Sequence, residues 1–285
     1  MLRVSGIFRN RRVDKSTKGN FQGPILPIPL VNQMVKYDFL TPENLRIDGR
    51  KPNETRPIEC QIGGIVSGTD GSASVSMGLT KAIAYIYGPR PLSKRLQSAQ
   101  GTGAVVAEYR TATFAAMDRR RRSKGDRQSR ERALWIQKVF QEAIVMELYP
   151  RSQIEIFVEV LQQDGSAVSA AINAVTLALI DAGIPLKDIV SSCTLGLMDS
   201  KSILVDLTHA EAENGAGSAQ VCLATYSRTG GICLCQVESK VPMQSFEDAC
   251  RLGVASCGEV AQTMRQFVLE HADAKLSGLQ SMVPH

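Results

Sequence analysis

The feature that most constrains the fold is an almost wholly apolar stretch at residues 167–182, AVSAAINAVTLALIDA. An Asp164-Gly165 turn precedes it, and Gly183 and Pro185 close it. Its length favours a helix over a strand. A helix that is apolar all round belongs in the centre of a domain, not on its surface. The rest of the domain must therefore surround this segment.

Strands are predicted on both sides of this helix. Residues 153–161 alternate, with Ile or Val at every second position and Glu155 and Glu159 on the other face, which predicts a half-buried strand. Turn signals and β-branched runs predict further strands at 58–66, 72–77, 81–87, 104–110, 190–198, 202–206, 221–226 and 232–238, and apolar periodicity predicts helices at 129–149 and 245–271. The order predicts one α+β domain over residues 37–275, with a C-terminal tail at 276–285.

Composition excludes several classes of protein. The chain has 285 residues, 44% hydrophobic and 21% charged, which is typical of a globular protein and excludes wholesale disorder. The sequence contains no run of about 18 apolar residues, so it predicts no membrane-spanning helix. Seven scattered cysteines and three histidines disfavour a metal site, and no G-x-S-x-G motif supports a serine triad. We expect no metal and no cofactor.

The net charge of +5 is distributed very unevenly along the chain. Residues 90–138 hold thirteen Lys or Arg and four acids, whereas residues 139–285 hold eight Lys or Arg and seventeen acids. Arginine bonds phosphate oxygens bidentately, so basic loops without compensating acids favour binding to an RNA backbone over a merely solvated loop. Few aromatic residues interleave with them, which argues against base stacking. The predicted RNA-binding residues are Arg90, Lys94, Arg95, Arg119, Arg120, Arg121, Arg122 and Arg127.

Residues 1–36 differ from the rest in composition. They hold seven basic residues and one acid, followed by a Pro-rich stretch from Gly23 to Leu30. Such a segment is typical of a mitochondrial transit peptide, a disordered basic arm, or an extension upstream of a start at Met34. We favour a dispensable extension, because the globular pattern begins cleanly at Met34.

Six short motifs carry a resemblance to a known family. They are LRIDGRKPNE at 45–54, YGPR at 87–90, PRSQIEI at 150–156, VLQQDG at 160–165, INA at 172–174 and ALIDAGIP at 178–185. In order and spacing they resemble the ribonuclease PH-type subunits of the RNA exosome ring. The resemblance implies a ribonuclease PH-like domain with the fold of ribosomal protein S5 domain 2.

The resemblance also implies partners and a location. The expected partners are other ribonuclease PH-type ring subunits, cap subunits, associated exonucleases and single-stranded RNA, with no membrane. The implied roles are rRNA processing and RNA turnover in nucleus, nucleolus and cytoplasm.

Active members of this family use inorganic phosphate to cleave RNA from its 3′ end. They hold the phosphate with two arginines and use two aspartates six residues apart, because the attacking phosphate must be clamped and developing charge neutralised. Carried over position by position, these residues fall on Arg132, Val168, Ala212 and Ser218. Shifting the alignment by one residue brings Glu213 to the first acid position but supplies no second acid.

Three of the four catalytic positions thus carry side chains that can neither bind phosphate nor supply a carboxylate. Asp206 and Glu211 match other positions of the family. We therefore expect a non-catalytic ring subunit that helps guide RNA. Two alternatives stay open: an active phosphorolytic exoribonuclease with rearranged acids, and an assembly subunit without RNA contacts.

Overall fold

The first half of the domain is a five-stranded sheet. The computed structural model describes residues 41, 45–91, 103–116, 126–198, 202–214 and 219–282. Strands β1 (Ile58–Ile62), β2 (Gly71–Met77), β3 (Thr80–Pro91), β4 (Ala104–Thr111) and β5 (Ser152–Gln162) lie in the order β1-β2-β3-β5-β4. Only the β4–β5 pair is parallel, because α1 (Arg127–Ala143) crosses between those two strands. The predicted extension at 1–36 lies outside the described residues.

The second half is a four-stranded antiparallel sheet. Strands β6 (Val190–Met198), β7 (Ser202–Val205), β8 (Ala219–Tyr226) and β9 (Ile232–Val237) lie in the order β7-β6-β8-β9. The long helix α4 (Met243–Met282) packs on β6, β8 and β1, and a short helix α3 (His209–Asn214) follows β7. No helix in the described ranges is long and apolar enough to cross a membrane.

Helix α2 (Ala167–Asp181) lies between the two sheets. It packs on β2 and β3 of the first sheet and on β6 and β8 of the second. Twelve of its fifteen residues are buried, which confirms the central position predicted from its apolar sequence. Burial on this scale stabilises the fold by roughly 0.8 kcal/mol for each buried methylene.

Three polar side chains of α2 fix it against β6. The Asn173 amide donates to the Ser192 carbonyl at 3.1 Å and accepts from the Ser192 N–H at 2.8 Å. Thr176 donates to the Val190 carbonyl at 2.8 Å, and the Ser169 hydroxyl lies 2.7 Å from that of Thr194. Because residues 190, 192 and 194 share one face of the strand, these contacts set the position of the helix along it.

Several observed elements differ from the prediction, and the first is strand β1, which ends at Ile62 and not at residue 66. Helix α1 ends at Ala143 and not at residue 149, because Ile144 turns to extended backbone and pairs with Leu186. Strand β3 continues through the Gly88-Pro89 pair, whose peptide bond is cis, to Pro91. Helix α3 was not predicted. Helix α4 continues past His271 to Met282, so most of the predicted tail at 276–285 is helical.

Candidate functional site

Two turns meet at one end of the α2 helix. The Asp164-Gly165 turn leads into α2, and residues 206–208 lead from β7 into α3. A Cβ on Gly165, which has a φ of +77°, would lie 2.1 Å from the carbonyl oxygen of Leu207, so only glycine permits this approach. The Ser166 hydroxyl donates to the same carbonyl at 3.3 Å. The two turns therefore form one packed unit.

Arg56, just before β1, holds both turns. Its guanidinium donates to the two carboxylate oxygens of Asp206, each at 2.7 Å, and to the Asp164 carbonyl at 2.7 Å. Burial opposes ionisation of Asp206, but the bonds and charge of Arg56 outweigh it, so the pKa of this carboxyl lies below its ordinary value. Burial likewise opposes the charge of Arg56, and Asp206 more than compensates, which raises the pKa of Arg56.

A second buried ion pair holds the start of α3. Arg46 is fully buried, and its Nε donates to Oε1 of Glu211 at 2.8 Å while its terminal nitrogens bond the backbone carbonyls of Val205 and Asp206. The Thr208 N–H donates to the same carboxylate at 2.9 Å, as in a helix-capping box. Burial opposes ionisation of Glu211, yet Arg46 and Thr208 keep its pKa below the ordinary value.

Gly165 and Ser166 of the first turn and His209, which follows the second turn, line a pocket of about 230 Å³. Arg132 of α1, Val168 of α2 and Ala212 of α3 all line it, so the structure brings together three of the four positions carried over from the family. The fourth, Ser218, lies outside the described residues. The opposite wall comes from strands β8 and β9.

The pocket wall on β8 and β9 was not predicted from the sequence. Gln220 and Cys222 of β8 line the pocket with Gln236 and Glu238, at the end of β9. Cys222 is paired with Gln236 in the register, and the Glu238 N–H donates to the Gln220 carbonyl at 3.2 Å. Alternation along the two predicted strands could have placed these residues on one face, but only the tertiary structure puts that face beside Arg132.

The retained arginine is partly engaged within the protein. Arg132 is half-buried, its guanidinium carbon lies 5.5 Å from the centre of the Tyr109 ring, and one terminal nitrogen lies 3.5 Å from the Tyr109 hydroxyl. The contact with the ring is a cation–π interaction. It holds the side chain at the pocket while leaving donors for a ligand.

Among the described residues, Arg132 is the one arginine that lines the pocket. His209, Glu238 and four glutamines, at positions 128, 163, 220 and 236, line the same pocket. The apolar side chains of Val168 and Ala212 stand where a second guanidinium and a first acid are expected. The described lining thus offers neutral amides, one guanidinium, one imidazole and one carboxylate, all of which can form directed hydrogen bonds.

Two of the predicted RNA-binding residues lie in the described part of the chain. Arg90, at the end of β3, is exposed, 4.7 Å from the centre of the Tyr87 ring and 3.9 Å from a carboxylate oxygen of Glu155. Arg127 is exposed at the first turn of α1. The others, Lys94, Arg95, Arg119, Arg120, Arg121 and Arg122, lie outside the described residues. RNA binding by all eight stays a prediction.

Comparison with known sequences confirms the resemblance that the motifs carry. Residues 54–185 match the family described as 3′ exoribonuclease family, domain 1. The exosome complex component RRP41 homolog of Arabidopsis thaliana is 43% identical over 235 residues, which cover 82% of this chain and 95% of that protein. Exosome complex component RRP41 of Homo sapiens is 36% identical over 239 residues, which cover 84% of this chain and 96% of that protein.

Comparison with solved structures confirms the predicted fold class. Rrp46 of rice (Oryza sativa) superposes with a TM-score of 0.69 at 22% identity, covering 79% of this chain and 100% of that one. A chain of the Archaeoglobus fulgidus exosome, solved with RNA bound to the active site, gives a TM-score of 0.65 at 18% identity. The superposition covers 78% of this chain and 93% of that one. At these identities the likeness concerns the fold.

Proposed function

This chain belongs to the RRP41 family of exosome complex components, and we propose that it is a ring subunit of the RNA exosome that takes no part in catalysis. Its role is to help form the channel that guides single-stranded RNA to associated 3′–5′ exonucleases. The observation that carries the assignment to the exosome ring is the likeness to RRP41 proteins, which extends over 82% of this chain and 95% of the Arabidopsis relative.

The composition of the pocket supports a role without catalysis. Phosphorolysis needs the attacking phosphate held in line with the scissile bond and the charge of the transition state neutralised. Arg132 supplies one guanidinium, while Val168 and Ala212 supply none of the charge that the family positions call for. Losing one such group commonly lowers the rate by about 10²–10³-fold.

One observation favours the alternative of an active enzyme. Glu238, which directly follows β9 and is not one of the family's two acid positions, places a carboxylate in the same pocket as Arg132. A phosphorolytic exoribonuclease with rearranged acids would use this pair for phosphate binding and proton transfer. It is therefore the second candidate function.

An assay for nucleoside diphosphate separates the two functions. The purified chain and the reconstituted ring are each incubated with inorganic phosphate and single-stranded RNA. We expect no nucleoside diphosphate above that of a ring carrying Arg132→Ala. Diphosphate released by the unchanged ring but not by Arg132→Ala or Glu238→Gln would establish the active enzyme.

The proposed RNA path includes the basic residues on the two loops. Arg90, Lys94, Arg95, Arg119, Arg120, Arg121, Arg122 and Arg127 would contact phosphates. Photochemical crosslinking of single-stranded RNA to the intact ring should give adducts on residues 90–127. Adducts confined to other subunits would favour the assembly subunit without RNA contacts.

Partners and location complete the proposal. We propose that the chain pairs with other ribonuclease PH-type subunits and with cap subunits, and that it acts in rRNA processing and RNA turnover in nucleus, nucleolus and cytoplasm. Affinity purification of the tagged chain followed by mass spectrometry identifies the partners, and recovery of the chain as a monomer would contradict the proposal.

A further inference from the structure

Two cysteines lie where helix α4 covers the second sheet. Cys235 belongs to β9, an outer strand of that sheet, and is paired in the register with Leu223 of β8. Leu223 is part of the apolar cluster between the sheet and α4, and Cys250 of α4 packs against the same cluster. Because Cys235 is exposed and Cys250 is half-buried, both side chains lie at the edge of this layer, within reach of small solutes.

The course of the chain places Cys250 opposite the middle of β9. Residues 238–242 connect the end of β9 to the start of α4, so the helix runs back along the strand. Phe246, near that connection, packs against the same apolar cluster. At the other end of the strand, a Cβ on Gly230 would lie 3.8 Å from the side chain of Val254. Cys250 is one helical turn from both Phe246 and Val254, and therefore lies between these two contacts.

The thiols of Cys235 and Cys250 interact directly. The S–H of Cys235 donates a hydrogen bond to the sulfur of Cys250, and it is the one bond between two thiols among the described cysteines. Burial raises the pKa of both thiols. At Cys250 the hydrogen bond opposes that increase, whereas at Cys235 the neighbouring sulfur adds to it. The hydrogen bond therefore favours the thiolate at Cys250 over the thiolate at Cys235.

We propose that Cys235 and Cys250 form a reversible disulfide, with a small-molecule disulfide such as glutathione disulfide as the oxidant. The proposal goes beyond the function proposed above and does not depend on it, because the reaction involves neither RNA nor a partner subunit. It makes the junction of β9 and α4 a redox modification site.

The reaction has two exchange steps. The Cys250 thiolate attacks one sulfur of glutathione disulfide, which breaks that S–S bond and releases one glutathione thiolate. The Cys235 thiolate then attacks the Cys250 sulfur of the mixed disulfide and releases the second glutathione. Two electrons pass from the protein to the oxidant, and the two cysteine protons end on the two glutathione thiolates. The products are one protein disulfide and two reduced glutathione molecules.

The other cysteines are less suited to this reaction. Thiol exchange requires an accessible thiolate. Cys193 and Cys257 are buried, and burial raises the pKa of Cys257 to about 12. Cys233, two residues before Cys235 on β9, is half-buried, and burial raises its pKa to about 11. We therefore expect the oxidant to select the pair at the edge of the sheet.

The disulfide should stabilise the folded chain. A link between residues 235 and 250 closes a loop in the unfolded chain and so removes part of its conformational entropy. The oxidised chain should unfold at a temperature higher by about 3 °C or more, and dithiothreitol should reverse the change. The link also joins α4 to the strand whose Gln236 lines the pocket.

Peptide mapping tests the proposal on the full chain. The reduced protein is incubated with glutathione disulfide for hours, because thiols of raised pKa exchange slowly, and is then quenched with N-ethylmaleimide. Trypsin cleaves after Arg228, Lys240 and Arg251, so the bond links peptide 229–240 to peptide 241–251. We expect this linked pair, together with a loss of two hydrogen atoms from the intact mass.

Matched variants identify the two sulfurs. Cys233 shares the first peptide with Cys235, so Cys233→Ser is the control and should form the linked pair as the unchanged chain does. Cys235→Ser and Cys250→Ser should each lower its yield at least tenfold. The unfolding temperature of each reduced variant shows whether it is folded.

Three outcomes would overturn the proposal. The first is complete alkylation of Cys235 and Cys250 in the unchanged chain after the incubation. The second is a glutathione adduct that persists on Cys250 and is not displaced by Cys235. The third is a linked pair that survives Cys235→Ser, which would assign the bond to Cys233. Each of these results leaves the proposed function in place.

Discussion

The Arg56 guanidinium donates one hydrogen bond to each carboxylate oxygen of Asp206, both over 2.7 Å. The same side chain bonds the Asp164 carbonyl, so one residue before β1 joins the two turns beside the pocket. The Arg56 and Asp206 side chains are 6% and 0% exposed, which means that neither charge has water to replace a lost partner.

Arg56→Ala should therefore be strongly destabilising. Removing one partner of a buried ion pair leaves the other charge uncompensated, which typically costs about 3–5 kcal/mol. The control is Arg110→Ala, since Arg110 and Glu108 form an ion pair whose side chains are both 45% exposed and which should contribute about 1 kcal/mol or less. Urea denaturation measures both, and equal losses would contradict the role given to burial.

The stability of the protein should fall in acid because of two buried carboxyls. The folded-state pKa values of Asp206 and Glu211 lie below the ordinary values, so near pH 4 the unfolded chain binds more protons than the folded one. Stability from this source is present above about pH 5 and is lost as the pH falls through the folded pKa values.

Urea denaturation from pH 7 to pH 3 measures this effect as the slope of the unfolding free energy against pH. Glu211→Gln should flatten the slope, because that position no longer titrates. Glu247→Gln, at an exposed position, should leave the slope parallel to that of the unchanged protein. A slope that Glu211→Gln does not alter would assign the acid sensitivity to other carboxyls.

Gly165→Ala should disrupt the contact between the two turns. The added Cβ would lie 2.1 Å from the Leu207 carbonyl oxygen, on a residue with a φ of +77°. Gly64→Ala is the matched control, because Gly64 has a φ of +70° and no atom within 4 Å of the added Cβ. Thermal unfolding should show a loss of about 1 kcal/mol for Gly64→Ala from strain alone, and a clearly larger one for Gly165→Ala.

Val168→Arg should give the pocket an affinity for inorganic phosphate. It adds a second guanidinium to the pocket that Arg132 lines, and a hydrogen bond to a charged group contributes about 1.5–3 kcal/mol. Isothermal titration with phosphate should show binding at least about tenfold tighter than in the unchanged chain. Adding Arg132→Ala to this variant should remove the gain, and a gain that survives would place the phosphate elsewhere.

The sequence predicts most of the fold because its strongest patterns are local. The apolar run of α2 and the alternation of β5 have the correct type and nearly the correct bounds, since each follows from spacing along the chain. The end of α1 could not be predicted in this way, because Ile144 leaves the helix to pair with Leu186, a contact between distant residues.

The sequence predicts residues of the candidate site only at positions that the resemblance to the family identifies. Arg132, Val168 and Ala212 were placed by resemblance, and the structure brings them to one pocket. Gln236 and Glu238 follow no motif, and their position depends on how β9 pairs with β8. Helix α3 was missed for a related reason, because its first turn is capped by Glu211, which the distant Arg46 holds in place.

The position of α2 has a consequence for the synthesis of the protein. The helix is complete at Asp181, but β6 and β8, which cover its second side, end at Met198 and Tyr226. Translation adds about 5–20 residues per second, so a nascent chain exposes an apolar helix face for seconds before its cover leaves the ribosome. The interval before β8 emerges is thus the stage at which this polypeptide most needs a chaperone, and nonsense truncations within it would leave an aggregation-prone product.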